Sequence, residues 1–273
     1  MSVGNRSAVV AAVLGIIVVA CESAPAQGLI FNLPQDGIGI EYEGTFVQEN
    51  FRPDIPDGKE VLSFTRELSI KSVGREDAEF EGTRQPCRWI EIKTVTGTAG
   101  AAGIDPGPVG ATIYKVLIPE SKVIDTAVDA DSIPNDQLPI VKGFQRLGEN
   151  PVKPMTSRAL RVYPTMTQLT NYSSPEVVTE SEVPQTKAGQ SFPSKHLKGE
   201  LTIESTRMRS TNTGDYWVAA DVPFGLVRWE VKVTQEEKES TAPRDQFREV
   251  AAVTTVMSVK RILNNAESEL VVE

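Results

Sequence analysis

Histidine and cysteine are nearly missing from this chain: one histidine and two cysteines stand among 273 residues. Zinc sites draw on several His or Cys ligands at close spacing, and three such side chains spread over Cys21, Cys87 and His196 cannot supply one. A Ser-His-Asp arrangement would have to be built on His196, yet no G-x-S-x-G elbow occurs. Lys195 and Lys198 flank that histidine, which reads as a surface or sheet-edge residue. Basic residues are in deficit as well, with 28 Lys and Arg against 37 Asp and Glu and a net charge of −9. Nucleic acid is therefore not an expected partner, because phosphate binding relies on clustered cations.

Long hydrophobic runs are absent except at the start, where Ala8 to Ala20 is apolar. That run is too short for a hydrocarbon core, which takes about 20 apolar residues. With Arg6 before it and Ala24-Pro25-Ala26 after it, residues 1–26 read as a signal peptide, leaving a mature chain of 27–273. Val18-Val19-Ala20-Cys21 also has the look of a lipobox, in which Cys21 would be lipidated; membrane contact is expected only in that case. The expected location is the periplasm or cell envelope. Cleavage after Ala26 leaves Cys87 alone, so no intramolecular disulfide forms and stability rests on burial.

What the chain has in quantity is alternation. Ile38, Ile40 and Tyr42 alternate with Glu41 and Glu43, the period of a strand with one wet face. Leu62, Phe64, Leu68 and Ile70 repeat it, broken only by Arg66. Trp89 to Lys93, Thr112 to Ile118, Glu200 to Glu204, Val227 to Thr234 and the β-branched run Val250 to Val259 follow the same rule, although residues 245–252 could open helically. Pro119 ends one strand by removing a ladder N–H. The glycine-rich stretch Gly97 to Gly110 reads as a hairpin connection. Residues 119–154 lose the alternation, keep a weak helical face at Leu138 to Leu147, and read as a crossover, a lid or a plain surface loop. Pro164 to Pro193 reads as turn-rich.

Chemistry-bearing clusters are weak. Asp125, Asp129 and Asp131 suggest a calcium loop, but neither the glycine nor the closing glutamate is present. Glu41, Glu43, Glu91 and Glu230 occupy the polar phase of strands and are expected to be solvated. Arg88 beside Cys87 would lower a thiol pKa, whereas a strand start beside Trp89 suits a small buried residue. No metal, cofactor or catalytic residue is expected, and the chain reads as non-enzymatic.

One segment stands out: DYWVAADVPFGLVRWEV, residues 215–231, with two aromatic-rich strands pinched at Pro223-Phe224-Gly225. Phe224 is either a plug under the sheet or the lip of a pocket. This segment, with KAGQSFPSKHLKGEL before it, resembles the late strands of bacterial exported proteins of the lipoprotein-carrier type. CRWIEIK, GPVGATIYKVLIPES and the C-terminal SEL are similar to a group of uncharacterised exported planctomycete proteins. The carrier resemblance implies a half-barrel whose concave apolar face holds acyl chains, with Trp217, Val222, Phe224, Leu226 and Trp229 in the ligand-binding corner strands. The expectation is a mainly β, single-domain protein with a large curved antiparallel sheet and few short helices. It would bind a lipid or lipoprotein acyl chain on that face, or else serve as a structural or protein-interaction module contacting envelope proteins.

Overall fold

The computed structural model describes residues 30–52, 55–101, 103–123, 137–172 and 174–271. The proposed signal segment, Cys21 and the Asp125, Asp129 and Asp131 group lie outside the described residues.

Fourteen strands form among these residues: β1 (Ile38–Phe51), β2 (Lys59–Phe80), β3 (Thr83–Gly100), β4 (Gly103–Asp105), β5 (Thr112–Pro119), β6 (Leu138–Pro139), β7 (Lys142–Leu147), β8 (Lys153–Pro154), β9 (Ala159–Leu160), β10 (Glu176–Glu182), β11 (Ser194–Glu204), β12 (Met208–Val218), β13 (Leu226–Glu237) and β14 (Arg248–Asn264). The one α-helix among them, α1, spans only Tyr163–Thr167. The expected mainly β fold is what the chain adopts: one large, curved, open antiparallel sheet that does not close into a barrel.

Its order is β10-β11-β12-β13-β14-β1-β2-β3-β5-β7-β8, with β4 added to the end of β3 as the hairpin return of the glycine-rich stretch. Two meanders, one from each half of the chain, fuse where β14 pairs with β1 along Ile38 to Asn50. β5 stops at Pro119, paired with Cys87, as the lost N–H requires.

The meanders end at opposite edges of the sheet, and this decides how the apolar face is covered. The chain leaves β8 at one edge and must reach β10 at the other, so residues 155–172 cross the inner face. Leu160, Tyr163, Met166, Leu169 and Tyr172 bury themselves in the core as they pass. Of the expected crossover, lid or loop at 119–154, residues 124–136 lie outside the described residues. Residues 142–147 are a sheet strand, not a helical face, because they pair with β5 from Thr112 to Leu117. The crossing is made by the next segment, held to Leu138 and Pro139 by the β6–β9 pair.

Register fixes which side chains share a face. Ile40 lies opposite Ile70, Ile70 opposite Ile92, and Ile92 opposite Tyr114, a row on the inner face. Gly39, Lys71, Glu91 and Lys115 form the neighbouring row on the outer face. Bulges between Glu41 and Tyr42 and between Ser72 and Arg75 interrupt the ladders and bend the strands.

Candidate functional site

β12 and β13 are joined by Ala219 to Gly225, the pinched segment singled out in the sequence. Backbone bonds from Ala219 N–H to Gly225 O (2.8 Å) and from Gly225 N–H to Val222 O (2.9 Å) close it. Phe224 and Gly225 both have left-handed backbone, with φ of 63° and 83°. For phenylalanine that conformation costs on the order of 1–2 kcal/mol, comparable to what burying its ring returns. Phe224 is fully buried: it is the plug, not the lip. The N-terminal segment staples the corner, since Phe31 N–H donates to Phe224 O (2.8 Å) and Asn32 Nδ2 donates to Val222 O (3.2 Å). A Cβ on Gly225 would stand 2.7 Å from the Phe31 Cβ, so this position needs glycine for space as well as for φ.

Of the five candidate ligand-binding residues, Val222, Phe224, Leu226 and Trp229 converge beneath the sheet, none more than 1% exposed. Trp229 packs edge-on to Tyr42 with ring centroids 5.0 Å apart and donates Nε1–H to Thr167 O (3.0 Å) on the crossing segment. The Tyr42 hydroxyl donates to Leu226 O (3.0 Å), and its burial pushes the phenol well above its ordinary pKa. Trp217 does not join them. Its neighbour Tyr216 pairs with Trp229 on the inner face, which turns Trp217 to the outer face beside Arg228 and His196. There it stacks on His196 at 4.2 Å and donates to Glu182 of the edge strand β10.

His196 sits one strand in from the edge, and its side chain is mostly covered. Its Nε2 lies 3.0 Å from Asp215 and its Nδ1 3.3 Å from Glu182. Cys87 is the buried residue of the two sequence alternatives: desolvation, aided by Glu76, Glu120 and Asp77, raises its thiol pKa.

Glu91 departs from expectation. It occupies the polar phase of β3 but has no exposed surface, because the tail after β14 folds back over it. Its carboxylate accepts from Ser268 Oγ (2.6 Å), Glu269 N–H (3.0 Å) and Leu270 N–H (3.0 Å), with Lys71 Nζ at 3.5 Å. Lys71 and Lys93 both reach Glu269 at 2.6 Å, and Lys115 Nζ donates to Leu270 O (3.3 Å). The CRWIEIK, YKVLIPES and SEL segments thus meet in one polar clamp.

The inner face is filled by the chain itself. Tyr172 lies across Gly199 and Gly214, and a Cβ at either glycine would come within 2.2 Å of it. Its ring stacks on Tyr216, which stacks on Phe31. Beyond this packing a cleft of about 300 Å³ remains at the Arg66 end, while an open groove of about 610 Å³ lies between Met208, Glu237 and Arg248. Among the described residues no group of three His, Cys, Asp or Glu side chains is placed to hold a metal ion, and no helix is long and apolar enough to cross a membrane. Compared with protein-family models and with curated proteins, the chain matches none.

Proposed function

We propose that the protein is an exported, non-catalytic module of the cell envelope that works through contacts with other proteins. The observation that supports this reading best is the self-filled inner face. Where a ligand holder would leave room, Val222, Phe224, Leu226 and Trp229 are buried in one core, with Trp229 bonded to Thr167 of the crossing segment.

The open edge of the sheet is then the surface free to act. β10 pairs with β11 at only four positions with two register shifts, and Val177 and Val178 are 42% and 48% exposed. An edge strand offers a row of unpaired N–H and C=O groups to an incoming strand. A photo-crosslinking residue at Val178, activated in intact cells, should give an adduct with a second polypeptide. Recovery of monomer alone would count against the proposal.

A second reading, an apolar-ligand carrier, is favoured by one observation. The cover over the face is built from two-residue strands and a five-residue helix, which little regular hydrogen bonding holds in place. In that reading a lipid or lipoprotein acyl chain displaces the cover. Uptake of an apolar probe by delipidated protein separates the two.

A further inference from the structure

Arg66 is the residue that broke the alternation of β2, and the structure keeps it in the apolar phase. It faces inward between Gly44 and Thr96, and is 8% exposed. Its contacts are neutral ones: Nε donates to Thr96 Oγ1 (2.8 Å), Nη1 donates to Met166 O (3.1 Å), and the guanidinium lies 4.0 Å from the centroid of the Phe46 ring. Among the described residues no carboxylate lies within ion-pair distance of it. Buried charges are ordinarily paired, because leaving one alone in a low dielectric is costly.

Three further observations point into the same space. The cleft of about 300 Å³ is lined by Arg66 together with Thr94, Thr96, Thr112, Tyr114 and Met166, and Val109 and Val162 stand at it with 73% and 41% exposure. The Thr94 Oγ1 is buried there without a hydrogen-bond partner. Burial pushes the guanidinium pKa down to about 10, the direction expected of a cation lacking a counter-charge. The Tyr114 phenol, raised by burial, stays neutral and protonated at physiological pH.

We infer that this cleft is a binding site for a small monocarboxylate with a compact apolar body. The carboxylate meets the Nη2 edge of Arg66, which carries none of its hydrogen bonds, and the Thr94 hydroxyl. The apolar part lies against Val109, Val162 and Met166. A single cation lines the cleft, so a singly charged group is balanced and a phosphate dianion is not. The volume stands at the bottom of the roughly 300–1,000 Å³ range of small-molecule sites, which suits a short acid and leaves no room for a long acyl chain. Nothing in this inference rests on the envelope-module reading.

Titration calorimetry of the purified chain with hexanoate, hexanamide and inorganic phosphate tests it. Hexanoate should bind at one site, at least tenfold more tightly than the other two. Arg66→Met removes the charge and should weaken hexanoate at least tenfold. Val162→Trp should do the same by filling the cleft mouth while leaving Arg66 and its hydrogen bonds in place, so a folding defect in the first variant does not blur the result. No hexanoate binding, equal binding by either variant once it is shown folded, or phosphate binding as tight as hexanoate would each overturn the assignment.

Discussion

Replacing Glu91 with glutamine should cost about 1–3 kcal/mol of stability, mainly through the C-terminal tail. The wild-type carboxylate gives Oε2 to Ser268 and Leu270 and Oε1 to Glu269 and Lys71, with no surface exposed. An amide of the same size keeps one acceptor and sets a donor in the other place. If nitrogen takes the Oε1 position, the Glu269 N–H and Lys71 lose their acceptor; in the other orientation the Leu270 N–H does. An orphaned buried donor costs about 1–3 kcal/mol, more when a charged partner is also left. The upper bound comes from the tail itself, which can peel away and hydrate its amides at the cost of exposing Leu270, about 1.5–3 kcal/mol. Urea denaturation of Glu91→Gln, with exchange of the Leu270 amide followed in the same samples, reads both effects. A loss below about 0.5 kcal/mol with the Leu270 amide still protected would refute the reasoning.

Gly199→Ala should destabilise by about 1–3 kcal/mol, because its Cβ falls 2.2 Å from the Tyr172 Cγ and the ring must leave. In a Tyr172→Ala background the same substitution should cost little, as denaturation midpoints will show. The tail should also loosen in acid. Burial alone would raise the Glu269 carboxyl pKa, but Lys71 and Lys93 outweigh it and hold it below the usual range. A lowered folded pKa contributes stability that is present above the unfolded value near about 4.3 and is lost as pH falls through the folded value. Proteolysis at residues 265–270 should therefore rise below about pH 4, and Glu269→Gln should abolish that rise. Cys87, buried and with its thiol pKa raised, should react with a thiol reagent only after denaturation; prompt labelling of native protein would contradict its placement.

The strands were legible because alternation is local. Ile40 and Tyr42 against Glu41 and Glu43 specify a two-faced strand whatever lies beyond it, and Pro119 marks an end by its own chemistry. The cover was not legible. Which segment crosses the face depends on β14 pairing with β1, a contact between segments far apart in the chain, and only that pairing sends residues 155–172 across the face. The burial of Glu91 escapes a local reading for the same reason: its phase on β3 is a polar one, but the residues that bury it lie 177 to 179 positions away. The site residues divided along this line. The corner strands were found, yet the inner placement of Trp229 and the outer placement of Trp217 follow from register across β12 and β13. Arg66 was visible throughout as the one charge in an apolar row. Its significance emerged only once the neighbouring strands set no carboxylate beside it.

The central claim is that the concave face is occupied by the chain's own side chains. Delipidated protein titrated with the uncharged fluorophore N-phenyl-1-naphthylamine, which has no carboxylate for Arg66, tests it most directly. The account predicts no saturable enhancement of its emission and no energy transfer from the buried Trp229. Saturable enhancement with transfer from Trp229, displaced by a long acyl chain, would contradict it.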